Sequence, residues 1–459
     1  MSSDLVAESG PTKPLVRWLW TSNPFYVISA GLFLFGLRES FGPQTREVDS
    51  WALMGGLAGY TMLLAAAALL LVRFAGVWND VRTVLLLVVL MFLATSVTFD
   101  ELIVLDPERG KRFNIGGLIF AMLLTEGLLR GIGLRLPLLF RLPYHLTLAL
   151  FFLYPVLLTP LFRERHSEAL MWALWGFSPA AGLIFLTLLP AIWRGSGYVQ
   201  HNGSPWPWPF YPWSVFVFLA VAVCGRAFLL CWSLDMPYGV GLEQLVFGPH
   251  FLVPFGFVLA FLLLELGIVA RHRPTQWLAL AAPLGLMVLA GVGHRTEGVY
   301  AEFLGHFAAR LGGTPLFLSL LAATGFYLLA WLRGVSLALE GLTVCVGLLS
   351  IIGPEALTLS DVTPVRTGPL LGAIAIQVLL ALWQRDGWRL VVGGVAATSW
   401  LAWVGYGVYK SLREDVAGLD YLLAGVFFLP VAVLVSLGKA GVLSRWWRLA
   451  WSARPTPVE

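Results

Sequence analysis

The sequence predicts an all-α, polytopic integral membrane helix bundle of about fourteen transmembrane helices (twelve to fourteen), with no soluble domain. Three observations predict it. Of the 459 residues, 58% are hydrophobic and only 12% charged, about half the charged share of a soluble globular chain; mean hydropathy is +0.80. Apolar stretches of about 17–25 residues, long enough to cross a hydrocarbon core about 30 Å thick, recur from Trp18 to Gly438. The polar segments between them reach only roughly 20 residues, well short of the 50 or so that an independent domain needs.

In order, the predicted spans cover 18–37, 51–73, 82–99, 113–129, 144–162, 169–193, 212–234, 249–270, 276–292, 315–332, 335–352, 367–383, 388–408 and 419–438. The fourth, ninth and twelfth are short; without a pair of them the chain has twelve spans. Residues 1–17 read as a short cytoplasmic tail, 18–438 as a single transmembrane domain and 439–459 as a basic cytoplasmic tail. The N-terminus lacks the basic region, apolar core and small-residue cleavage site of a signal peptide, so the first span is expected to be an uncleaved anchor. Threading the spans alternately puts more Lys and Arg on the side of the termini and most acids on the other. That bias predicts a cell-membrane protein with both termini inside. Trp51, Trp193, Trp331 and Trp388 fall at span ends, the level amphipathic rings favour.

Several classes of chemistry are disfavoured. Net charge is +4, but the basic residues are scattered singly, without the cluster that tracks a nucleic-acid backbone. Cys224, Cys231 and Cys345 lie inside apolar stretches and read as packing residues. The seven His show no HxxH or HExxH spacing and there is no Walker A sequence, so no metal, cofactor or nucleotide is expected.

Ionisable residues within spans are costly, about 3 kcal/mol on insertion scales, and often mark substrate or ion pathways. Arg226, in LAVAVCGRAFLLCW, has no acid three or four residues away, so its partner is expected on another helix, at a carbonyl or in water. Glu126, Glu265 and Glu340 are the acids inside spans; Glu126 precedes Arg130 by four residues, the favourable order for a helical ion pair. In the segment His294–Leu311, Glu302, His306 and Arg310 repeat every fourth residue on one face, while Val299, Phe303, Phe307 and Leu311 offer apolar contacts, the pattern of a short helix lying in the outer interface. Asp100 and Glu101 are expected in an outer loop, as a base or as ligands for a cation. The run Ser204–Trp213 alternates Pro with aromatics and reads as a rigid collar before the seventh span.

The functional expectation is a secondary transporter or a flippase for a lipid-linked substrate, with Arg226 supplying positive charge near the midplane and Glu126, Glu265 and Glu340 completing the pathway. The partners expected are the bilayer and a lipid-linked or anionic small molecule. An alternative is a membrane-embedded glycosyl- or lipid-transferase using Asp100 and Glu101; a second is a non-catalytic assembly or sensor component. The position of the main polar cavity separates the three.

Overall fold

Helices occupy the described apolar stretches. The computed structural model describes residues 25–41, 50–163, 167–199, 202–206, 210–235, 245–294 and 298–361, and most positions from 372 to 406. Met1–Leu370 forms one compact unit and Leu371–Glu459 another. The first unit contains α1 (Phe25–Phe41), α2 (Ser50–Leu70), α3 (Trp78–Leu105), α4 (Pro107–Ile132), α5 (Leu138–Leu158), α6 (Glu168–Leu186), α7 (Leu189–Arg194), α8 (Phe210–Asp235), α9 (Val253–Val269), α10 (Arg273–Ala290), α11 (Gly298–Leu311), α12 (Pro315–Leu332) and α13 (Ala338–Leu349). Among the described residues no strand occurs. In the second unit the described positions between 372 and 406 are helical, and Gly393 packs against Val378.

Among the described residues eight helices are long and apolar enough to cross a membrane; α1 and α13 contribute shorter apolar segments. A helix stands on each of the first eleven predicted spans. The last three spans, and both tails, lie wholly or partly outside the described residues. Large apolar side chains face outward: Leu63, Leu123, Leu157 and Leu183 are about two-thirds exposed. In water such surface would be an aggregation site, whereas acyl chains solvate it.

Side-chain caps mark three of the helix starts. The Asp106 carboxylate accepts the Arg109 N–H at 3.2 Å, with Pro107 opening α4. Ser167 accepts from Leu170 at 3.3 Å ahead of α6, and Thr314 from Phe317 at 3.4 Å ahead of α12, where Pro315 follows. Each side chain satisfies an amide that has no partner within its helix.

One expectation is corrected here. Asp100 and Glu101 do not lie in a loop; they sit on α3, which continues to Leu105. The adjacent acids interrupt the apolar window, but Leu102–Leu105 resume it, and Ile103 is fully buried. The α3–α4 turn is tight enough that a Cβ on Gly110 would come within 2.5 Å of the Ile103 Cα, so only glycine fits.

Contacts between helix ends sort the bundle into two poles. At one, Arg73 Nε donates to the Gly131 carbonyl at 3.2 Å and the Arg135 N–H to that of Asn202 at 2.7 Å. At the other, the Thr314 N–H donates to the Pro354 carbonyl at 2.8 Å, and the α11 side chains meet the start of α6. The first pole carries Arg73, Arg130, Arg135, Arg194, Arg271 and Arg273 and is called the basic end; the second carries Asp106, Glu108, Glu168, Glu302 and Asp361 and is called the acidic end. Between them a core rich in Phe (Phe92, Phe151, Phe152, Phe177, Phe185) joins α2 to α9, and a second core around Leu280, Leu320, Ala323 and Tyr327 joins α9, α10, α12 and α13. In lipid, close packing and polar links hold helices together in place of the hydrophobic effect.

Candidate functional site

Arg226 and Asp100, assigned separately to a midplane pathway and an outer loop, meet each other. Both are wholly buried. The Arg226 guanidinium grips the Asp100 carboxylate with two parallel contacts: Nη1 to Oδ2, and Nη2 to Oδ1 at 2.8 Å. Nη2 also donates to the Phe151 carbonyl at 3.0 Å, and the Ser233 hydroxyl donates to Asp100 Oδ2 at 3.1 Å. The network ties α3, α5 and α8 together. Arg226 Nε has no hydrogen-bond partner among the described residues. Asp100 lies five residues before the end of α3 and Arg226 nine before the end of α8. At 1.5 Å per residue this places the pair about 8–14 Å from the acidic end. Glu101, on the same turn as Asp100, is half-buried.

The pathway acids are distributed rather than convergent. Glu126 on α4 takes Arg141 of α5 as its main partner, with Arg141 Nε at 2.5 Å, His145 Nε2 at 3.3 Å and Arg130 only at 3.8 Å. The i,i+4 pairing read from sequence is therefore the peripheral contact. Glu265 on α9 is buried and receives Arg333 Nε at 2.7 Å, Arg333 Nη2 at 2.5 Å and Trp193 Nε1 at 2.9 Å, linking α7, α9 and the end of α12. Those hydrogen bonds to Glu265 hold the Arg333 guanidinium above its ordinary pKa. Glu340 stands in the first turn of α13 and is half-buried; an acid is favourable at a helix start.

The segment expected in the interface is helix α11 at the acidic end. Tyr300, Phe303, Leu304 and Phe307 are its buried face, whereas Leu311 is exposed. Arg310 Nη2 reaches Glu168 at 2.8 Å and its guanidinium lies 5.7 Å from the Trp172 ring; His306 Nδ1 is 3.8 Å from the same carboxylate. Trp172 stacks on Phe307 and donates to Glu168 at 3.1 Å. Glu302 is exposed.

A cluster that the sequence reading did not assemble sits beside it. Tyr300 Oη lies 3.1 Å from His250 Nδ1 and 3.4 Å from His294 Nδ1. Burial holds the His294 imidazole below its ordinary pKa. Nearby, Asp361 accepts the Thr358 and Leu357 N–H groups at 2.9 and 3.0 Å, which holds its carboxyl below the usual range. His294 and Tyr300 are six residues apart within the segment already singled out, but His250 is fifty residues from Tyr300, so no short-range pattern joins it to them. Among the described residues no group of three His, Cys, Asp or Glu is placed to hold a metal ion. Cys224, Cys231 and Cys345 are free thiols.

A groove of about 740 Å³ runs between α8 and α10, floored by α6 and α9. Its walls are apolar: Phe216, Val217 and Val221 on one side, Leu278 and Ala282 on the other, Leu262 beneath. Val217, Val221 and Leu278 are about two-thirds exposed, so the groove opens sideways, toward lipid. Neither Arg226 nor Asp100 lines it. Comparison with protein-family models, with curated proteins and with solved structures found no match to this chain.

Proposed function

We propose that this chain is a cell-membrane protein of fourteen spans, its basic end and both termini in the cytoplasm, that handles a lipid or lipid-linked substrate as a flippase. The observation that carries the reading is the sideways-opening apolar groove. A small anion has no counter-charge in such a groove, whereas an acyl chain enters it from the bilayer without leaving its own solvent. The buried charges weigh in the same direction. Arg226, Glu126 and Glu265 each hold an opposite charge on a neighbouring element, which leaves them poor receptors for a solute and good candidates for links that break and remake as helices move. The excess of Arg at the basic end supports its cytoplasmic placement.

Reconstitution into vesicles carrying a fluorescent phospholipid tests this. Dithionite added outside is expected to bleach the inner-leaflet probe through transfer across the bilayer; a bleaching extent equal to that of protein-free vesicles refutes it. A second reading, a non-catalytic assembly component, draws on the mutual neutralisation of the buried charges. It predicts no transfer together with co-purification of a stable membrane partner.

A further inference from the structure

We infer that the groove between α8 and α10 is a binding site for one anionic glycerophospholipid of the basic-end leaflet, its acyl chain in the groove and its phosphate on Arg194, Arg271 and Arg273. The inference rests on the lipid-handling reading above and names the lipid class.

Length comes first. The groove extends from Trp213 to Cys224 along α8 and from Leu266 back to Gly256 along α9. Those stretches of twelve and eleven residues rise about 16 and 15 Å from first to last. Half of a hydrocarbon core about 30 Å thick is about 15 Å, so the groove is one leaflet deep. A transmembrane helix would need twice that length; a single acyl chain fits it.

Charge comes second. Leu266 and Leu278, at the groove's basic end, are each five residues from the arginines of the α9–α10 turn, Arg271 and Arg273, about 8 Å by helical rise. Arg194 ends α7, six residues beyond the lining residue Leu188. Its guanidinium stands 5.0 Å from the Tyr198 ring. All three arginines are exposed, and among the described residues none forms an ion pair, whereas Arg141, Arg226, Arg310 and Arg333 all do. Guanidinium groups without an ion pair at headgroup level suit phosphate, which they meet with paired N–H donors.

Backbone comes third. At the basic end three helices close with the same turn. α4 does so with the Leu134 N–H donating to Leu129 O and Gly133 at φ +75°; α12 with the Val335 N–H to Ala330 O and Gly334 at φ +86°. α9 makes the same bonds, His272 N–H to Gly267 O and Arg271 N–H to Ile268 O, but the left-handed position is held by Arg271 at φ +51°. Glycine is the ordinary residue there. An arginine in that conformation is strained, and strain of this kind is kept where a side chain must stand in a set place.

The test is native mass spectrometry of the full chain in mild detergent with equimolar phosphatidylglycerol and phosphatidylcholine, paired with cross-linking by a phosphatidylglycerol carrying a diazirine on its acyl chain. Expected are at least roughly tenfold preferential retention of phosphatidylglycerol and label on α8 and α10. Replacing Arg194, Arg271 and Arg273 by Gln, all at exposed positions, should bring the preference within about twofold without loss of folded protein. Val221→Trp should reduce the label. Equal retention of both lipids by the unaltered chain overturns the inference, as does label confined to other helices. A change of oligomer mass in Val221→Trp with lipid retention unchanged assigns the groove to a second copy and also overturns it. Retention with no transfer in the vesicle assay removes the flippase reading and leaves the site; transfer without anionic preference does the reverse.

Discussion

Replacing Asp100 by Asn is expected to be among the most destabilising single changes in this bundle. The substitution keeps the side-chain shape but removes the charge that faces Arg226. At 2.8 Å between Nη2 and Oδ1, and an effective dielectric of about 20, the attraction forgone is about 6 kcal/mol. Part of that is offset because one ion fewer remains desolvated, so a net loss of about 3–5 kcal/mol follows. The guanidinium retains its Phe151 carbonyl, 3.0 Å away, which cannot neutralise it. Against a typical stability of about 5–15 kcal/mol, that is a third or more of the total. Arg226→Met alone should cost a similar amount by leaving Asp100 with the Ser233 hydroxyl. The double variant Asp100→Leu with Arg226→Met, which removes both charges, should recover most of the loss, because well-packed apolar replacements of buried pairs are often neutral or better. Thermal unfolding in detergent of the parent, Asp100→Leu, Arg226→Met and the double variant, read by tryptophan fluorescence, closes a double-mutant cycle. A coupling below about 1 kcal/mol, or losses that simply add, refutes the account of this pair as the link joining α3, α5 and α8.

Three further outcomes follow from the geometry. Gly110→Ala should destabilise by about 1–3 kcal/mol, because its Cβ meets the Ile103 backbone, while Gly116→Ala on the same helix, with open space around it, should be neutral or slightly stabilising; paired melting curves decide this. Arg333→Gln should cost more than the 0–1 kcal/mol typical of a surface pair and less than the 3–5 kcal/mol of a buried one, since Glu265 is buried and Arg333 half-exposed; equal melting of variant and parent refutes it. His294 has a depressed folded pKa, so its contribution is complete above about pH 6.5, the unfolded value, and falls as the pH drops from there toward the folded value. Protection of the amides around residues 290–294, with the intrinsic pH dependence of exchange divided out, should fall below about pH 6.5 in the parent and lose that dependence in His294→Phe.

Much of the architecture was legible because one signal, about 20 apolar residues bounded by turns, is repeated so often. A helix at α11 was also legible, since Val299, Phe303 and Phe307 at four-residue spacing line up on one face beside His306 and Arg310. The candidate site was less legible, for a physical reason. Asp100 reads as a loop residue because two adjacent acids depress any local average, which ends the apolar window before the four apolar residues beyond them. Its burial is decided by a residue 126 positions away, Arg226. A depth argument held the missing signal: an arginine inside a span needs one opposite charge at matched depth on another helix, and Asp100 is an acid at that depth. The same reasoning applied to Glu265 would have pointed to Arg333 just beyond α12.

The two features with functional weight are thus complementary. The buried charges Asp100, Arg226 and Glu265 each have a counter-charge on another element, and none of them lines the groove between α8 and α10. The groove in turn leaves an apolar side channel where α8 and α10 stand apart, a gap that tighter packing of small residues such as Ala220, Ala281 and Gly285 could otherwise have closed. In lipid an unfilled gap of that kind forfeits dispersion contacts on both walls, so a chain that keeps it gains stability from whatever acyl chain fills it. An occupied groove should therefore raise the melting temperature, and phosphatidylglycerol should raise it more than phosphatidylcholine if Arg194, Arg271 and Arg273 hold the phosphate. Equal shifts with the two lipids would separate simple filling of the gap from recognition of a headgroup.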